Sequence, residues 1–252
     1  MKATRLIMGM PITVEIVSEN KTDAQTAIEK VFDYFESVDE RFSTYKPGSE
    51  ISRINRGEIQ IEDCSSEMKE IFALAEETKK QTNGYFDISL SDKIDPSGLV
   101  KGWAILNAAK ILEQMGFKNF YVEAGGDIQA KGTNQAGQPW KVGIKNPFDQ
   151  KEIVKVVYLK NCGIATSGNY IRGQHIYNPK NLDQPITEIV SLTVIGPNVY
   201  EAYRFATAAF AMGKPGINFI EQLPELDGYI IDKDGIATMT SGFERFTFFT
   251  KY

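Results

Sequence analysis

Apolar residues recur along this chain with two periods, and the switches between them mark its elements. Over residues 7–17, Ile12, Val14 and Ile16 alternate with their neighbours and predict a strand. Residues 23–42 carry Ile28, Val31, Phe32, Phe35 and Val38 at helical spacing. Residues 66–81 repeat the pattern with Met68, Ile71, Phe72 and Ala75, and Asn83-Gly84 ends that helix. Between the two, FSTYKPGSEISRIN reads as a loop punctuated by Pro47 and Gly48. A third helix opens near Gly98 and runs to Gly116. NFYVEAGGDIQAKG then predicts a strand that breaks at Gly125-Gly126 and resumes. WKVGIKNPF, IVKVVYLKNCGIATSG and TEIVSLTVIG supply further strands. An alanine-rich helix follows over 201–213, then a shorter one over 216–223 and a hairpin turning at Asp234-Gly235. Short turns between neighbouring strands, with helices interspersed, predict an α+β fold of mixed or antiparallel sheets. No repeat, low-complexity tract or linker divides the chain, so residues 1–252 are expected to form one domain.

Charge narrows the function. Lys plus Arg is 28 and Asp plus Glu is 33, a formal charge of −5, without the basic excess of a nucleic-acid binder. No apolar run approaches the roughly 20 residues that span a bilayer. No signal peptide opens the sequence, which suggests a cytoplasmic protein or one whose leader has been removed. Cys64 and Cys162 form no CxxC pattern and are expected to be reduced thiols.

Four stretches carry candidate chemistry. In DPSGLVKGWAI, Gly98 and Gly102 let main chain approach a ligand, a helix N-terminus offers free N–H groups, and Lys101 adds positive charge. Asp95 either caps that helix or accepts from a ligand. In EAGGDIQAKG the double glycine marks a bulge, a close contact or a barrel-like bend, with Asp127 directly after it. GIATSGNYIRGQHIYNP combines Thr166, Ser167, Tyr170, Arg172 and the single His175, without a GxSxG elbow. One histidine excludes polyhistidine metal sites and leaves oxygen ligands, hence Mg²⁺ or Ca²⁺. Tyr45, Tyr85 and Phe86 fall in loops, where aromatics either anchor the loop or stack on a flat ring. On the alanine-rich helix, Tyr203 and Thr207 share one face at four-residue spacing.

Taken in order, MGMPITVEI, FSTYKPGSEISRIN, TNGYFDIS, DPSGLVKGWA, VEAGGDIQAKG, VGIKNPF, IATSGNY, HIYNP and FATAAFAMG resemble the ApbE family. These are Mg²⁺-dependent FAD:protein FMN transferases. The resemblance implies two intimately packed α/β subdomains with an FAD cleft between them, and transfer of FMN to a Ser or Thr of a target protein with release of AMP. It implies FAD contacts from Met8, Tyr45, Tyr85, Phe86, Asp87, Asp95, Lys101 and Tyr177, and metal ligation by the Gly98 carbonyl and Thr207. Asp127 and His175 are the candidate bases. The chain departs from the family pattern at Tyr203, where members carry a metal-binding Asp. A phenol with an ordinary pKa of about 10 is neutral at pH 7 and is a poor substitute for a carboxylate. Losing that anionic ligand is expected to weaken Mg²⁺ binding and to cost several kcal/mol of transition-state stabilisation. Asn178 stands where members commonly have Asp, and the segment between GYFDIS and DPSG is short. The alternatives are an FAD-binding protein without catalysis and a flavin oxidoreductase.

Overall fold

The computed structural model describes residues 1–90, 93–169, 173 and 176–248. In chain order, β1 (Lys2–Ile7) and β2 (Met10–Ile16) lead into α1 (Lys21–Phe42), α2 (Glu50–Asn55) and α3 (Ser66–Gln81). The short β3 (Ser89–Leu90) and β4 (Lys93–Ile94) precede α4 (Ser97–Gln114). Then come β5 (Phe120–Ala124), β6 (Asp127–Lys131), β7 (Trp140–Lys145), β8 (Ile153–Leu159), β9 (Cys162–Gly168) and β10 (Ile189–Gly196). The chain continues through α5 (Val199–Ala211), α6 (Gly216–Glu221), β11 (Asp227–Asp232) and β12 (Ala237–Met239).

Eight strands form one sheet in the order β1-β2-β5-β6-β9-β10-β11-β12, and β3-β4 and β7-β8 stand apart as two-stranded pairs. Every pairing among the described residues is antiparallel. The α+β expectation with antiparallel sheets therefore holds, and no barrel forms. Alternation along the strands places the cores. Ala165, Val194 and Ile230 point toward α5 and α6, whereas their neighbours Ile164, Ile195 and Ile231 point to the opposite face. That opposite face is covered by β7-β8 and the 3₁₀ turn Phe243–Phe246. A further core packs α1, α3 and α4 against β1, β2 and β5. Phe32 and Phe35 of α1 are buried there, each worth roughly 1.5–3 kcal/mol of transfer free energy.

Local chemistry explains the boundaries. Asn20 caps α1 by accepting from Asp23 N, Ser65 caps α3 through Met68 N, and Asn198 caps α5 through Glu201 N. Three expectations need correction. The strand expected over 7–17 is present as β2 but starts at Met10, because Met8 at φ 55° and Gly9 at φ 70° turn the chain back to an unexpected partner, β1. Gly125-Gly126 is not a bulge or a barrel bend. With φ 58° and 96°, it forms the two-residue turn between Ala124 and Asp127, a backbone that favours glycine at both places. The loop expected over 42–55 contains α2, started by the Ser49 side chain accepting from Ser52 N. Cys64 and Cys162 are free and buried. Among the described residues no helix is long and apolar enough to cross a membrane.

Candidate active site

A cavity of about 840 Å³ opens where the first turns of α4, the middle of α5, the β5-β6 turn and the loops after α1 and α3 meet. That size lies within the roughly 300–1,000 Å³ of ligand sites. Its lining includes Met8, Tyr45, Tyr85, Phe86, Asp87, Asp95, Gly98, Lys101, Asp127, Tyr177, Tyr203 and Thr207. Of the site residues expected from the sequence, His175, with Tyr170 and Arg172, lies outside the described residues, and Gly102 is not at the cavity but packed against Tyr203 of α5. The FAD, metal and base candidates named above otherwise share this one cavity.

Helices α4 and α5 bring the widely separated Gly98 and Thr207 together. A Cβ on Gly98 would stand 3.5 Å from Thr207 Cγ2 and 3.3 Å from Phe86 Cε2. Gly98 thus sits tightly between Phe86 and Thr207, and it lines the cavity. The Thr207 hydroxyl donates to its own helix at Tyr203 O, 3.0 Å away, and lies 3.5 Å from Ser167 Oγ on β9. Its acceptor lone pairs stay usable by a ligand. Tyr203 reaches across and donates its hydroxyl to Ser97 O at 3.1 Å.

Lys101 brings a cation to the α4–α5 side of the cavity. Its Nζ lies 2.6 Å from Asp127 Oδ2 and 4.7 Å from the centre of the Tyr203 ring. Asp127 is 1 % exposed. Thr166 N donates to Asp127 Oδ1 at 2.9 Å, while the buried Oδ2 meets the ammonium as an ion pair rather than an aligned hydrogen bond.

The aromatic wall is built differently from one residue to the next. Phe86 is buried, so its ring is a core anchor against Gly98 rather than a free loop aromatic. Tyr45 is 95 % exposed, which excludes a loop-anchoring role. Tyr85 is covered by the Lys180 ammonium at 4.2 Å. Tyr177 donates its hydroxyl to Asp87 O at 3.1 Å, and burial pushes its pKa up to about 12, so it stays a donor. Asp87 Oδ2 pairs with Lys79 at 2.7 Å. Asp95, one residue before the Pro96 N-cap of α4, accepts from Ser97 N through Oδ1 at 2.9 Å. Glu123 and all of β7 also line the cavity; their segments read as strands in the sequence, which assigns neither a site role.

The donor set tests the expected metal. Among the described residues no three His, Cys, Asp or Glu side chains cluster as ligands. Beside Gly98 and Thr207 the protein offers a carbonyl and a hydroxyl, the Tyr203 hydroxyl is engaged by Ser97 O, and Asp127 faces an ammonium. These groups do not fit a Mg²⁺ site, because the hard dication favours anionic oxygen.

The ApbE family model matches residues 8–92 and 91–230. The chain belongs to the ApbE family. An FAD:protein FMN transferase of Haemophilus influenzae is 26 % identical over 95 % of this chain and 89 % of that protein. One from Klebsiella pneumoniae is 33 % identical over 56 % of this chain and 43 % of that protein. The flavin transferase ApbE from Vibrio cholerae superposes with a TM-score of 0.85 at 23 % identity, covering 98 % of each chain. At that identity the superposition speaks for the fold, and this chain has the ApbE fold throughout.

Proposed function

We propose that this ApbE-family chain transfers FMN from FAD to a Ser or Thr hydroxyl of a target protein, releasing AMP, with residues 1–252 acting as one domain. One observation carries the reading: Gly98, Lys101 and Thr207, far apart in the chain, border the same cavity. The names of the relatives support it.

On this reading the FAD diphosphate lies against the first turn of α4, where the positive end of the helix dipole and the Lys101 ammonium favour an anion. Met8, Tyr45, Tyr85, Phe86, Asp87, Asp95 and Tyr177 hold the rest of the nucleotide. The acceptor hydroxyl attacks the FMN phosphorus. A P–O ester bond forms, the bond from that phosphorus to the bridging oxygen breaks, and AMP leaves with that oxygen. The hydroxyl proton passes to a base, for which Asp127 and His175 are the candidates. The Tyr203 phenol takes the place of an anionic ligand, so Mg²⁺ binds weakly and turnover is slow.

Incubation with FAD, with and without Mg²⁺, followed by chromatography for AMP and FMN, tests the reading. Slow AMP release is expected, rising in Tyr203→Asp only when Mg²⁺ is present. An unchanged rate in the variant would remove α5 from the metal site. The neutral donors beside Thr207 favour a second reading, an FAD-binding protein without catalysis. A gain of FMN mass on a co-expressed target would exclude it.

A further inference from the structure

The hairpin β7-β8 stands outside the main sheet, and β7 pairs only with β8. Among the described residues the other edge of β7 has no main-chain partner. Yet all six residues of β7, from Trp140 to Lys145, line the cavity. Side chains alternate across a strand, so one face cannot present consecutive residues. Trp140 and Ile144 are buried in the core, while Lys141, Gly143 and Lys145 are exposed. What these residues share is the main-chain edge, and the cavity therefore runs along it.

An open edge of N–H and C=O groups is a template for another extended chain. Edge lysines discourage pairing with a second copy of a protein, but Lys141 and Lys145 would favour an acidic partner. Just beyond β7, exposed Phe148 lies 3.8 Å from where a Gly235 Cβ would be, in the turn that carries exposed Ile236. This gives the edge an apolar foothold at one end. Glu123 also lines the cavity, so acidic residues of a partner belong at the exposed lysines, away from the reacting hydroxyl.

Resting on the function proposed above, the geometry points to β7 as the docking edge for the acceptor. An extended segment of the target protein, with acidic residues flanking its Ser or Thr, adds as a strand beside Trp140–Lys145 and carries the hydroxyl into the cavity. Six residues of strand offer about 20 Å of edge. Strand geometry then turns every second acceptor side chain the same way as the hydroxyl.

The test is peptide binding to the full chain saturated with FAD, read by fluorescence anisotropy and so independent of turnover. The probes are short dye-labelled peptides with one Thr, flanked by Glu or by Lys. The Glu-flanked peptide should bind about tenfold more tightly, and Lys141→Glu with Lys145→Glu should reverse the order. N-methylation of alternate amides should weaken binding about tenfold for one set and leave the other set unchanged, since strand pairing uses every second N–H. Equal affinities for the two flanks, equal effects of both methylation sets, or no binding of any peptide would overturn the docking edge. A prior titration of FAD against the protein by flavin fluorescence separates the two ideas, because absence of FAD uptake overturns the proposed function itself.

Discussion

A Cβ added to Gly102 would stand 2.6 Å from the Cβ of Tyr203 and 3.0 Å from its ring. Helices α4 and α5 thus cross with no room for a side chain on α4, one turn beyond the Gly98–Thr207 contact that borders the cavity. Gly102→Ala must push the helices apart. Overpacking of this kind costs about 1–3 kcal/mol, and the better helix propensity of alanine returns at most about 1 kcal/mol. A net loss on the order of 1 kcal/mol is expected in urea unfolding. Because the nearest atom is Cβ, the loss should persist when Tyr203→Asp removes the ring. An unchanged midpoint would show that the crossing relaxes freely.

Lys101 and Asp127 form the other long-range link at this cavity. Lys101→Met would leave the Asp127 carboxylate, 1 % exposed, with its main-chain bond from Thr166 alone. Breaking one side of a buried pair costs about 3–5 kcal/mol. The double variant Lys101→Met with Asp127→Asn removes the orphaned charge and keeps an acceptor for Thr166 N. It should recover most of that loss in a double-mutant cycle followed by urea unfolding. Simple additivity of the two single losses would show the pair to be uncoupled.

The same two links show what the sequence could and could not convey. Helix α3 was legible to the residue, since its apolar period, Ser65 and the Asn83-Gly84 stop all agree. The β1-β2 turn was not, because methionine is no turn signal and only the backbone reveals its positive φ. Helix α2 is too short for a periodic signal and begins just after Pro47-Gly48. Most of the cavity wall was legible because its residues sit in short segments with a family pattern. The Lys101–Asp127 pair has no sequence spacing of its own, since it depends on how α4 meets β6. The strand β7 was legible in WKVGIKNPF, but that its main-chain edge borders the cavity was not, because an edge leaves no mark on residue identity. Phe86 follows a loop-like Asn-Gly, yet the packing of α3 against α4 buries it.

Glu123 links the cavity to pH. Burial raises its carboxyl pKa, the charge of Asp127 raises it too, and Lys2 and Lys145 oppose the shift. With the folded pKa above the unfolded one, the stabilising contribution is complete below the unfolded value and is lost as pH rises through the folded value. At neutral pH the ionised carboxylate therefore works against folding. Glu123→Gln should raise Tm near pH 7, and the gain should shrink as pH falls through the raised folded pKa and vanish below about 4, near the ordinary Glu pKa. Thermal unfolding across that range checks the sign, and a gain that does not vary with pH would detach it from ionisation.

Met8 holds a left-handed backbone, φ 55°, at the first position of a two-residue turn and also lines the cavity. An L-residue other than Gly, Asn or Asp pays roughly 1–2 kcal/mol for that conformation. Asn followed by Gly is the pair such a turn prefers, and Gly9 is already in place. Met8→Asn should therefore stabilise the fold by about 1 kcal/mol in urea unfolding, less whatever the half-buried side chain contributes to the N-terminal core. If the methionine is kept for its contact with the nucleotide, the same variant should bind FAD more weakly by flavin fluorescence titration. Gained stability with lost affinity is the signature of strain retained for binding. Gained stability with unchanged affinity would instead remove Met8 from the FAD site while leaving the turn geometry intact.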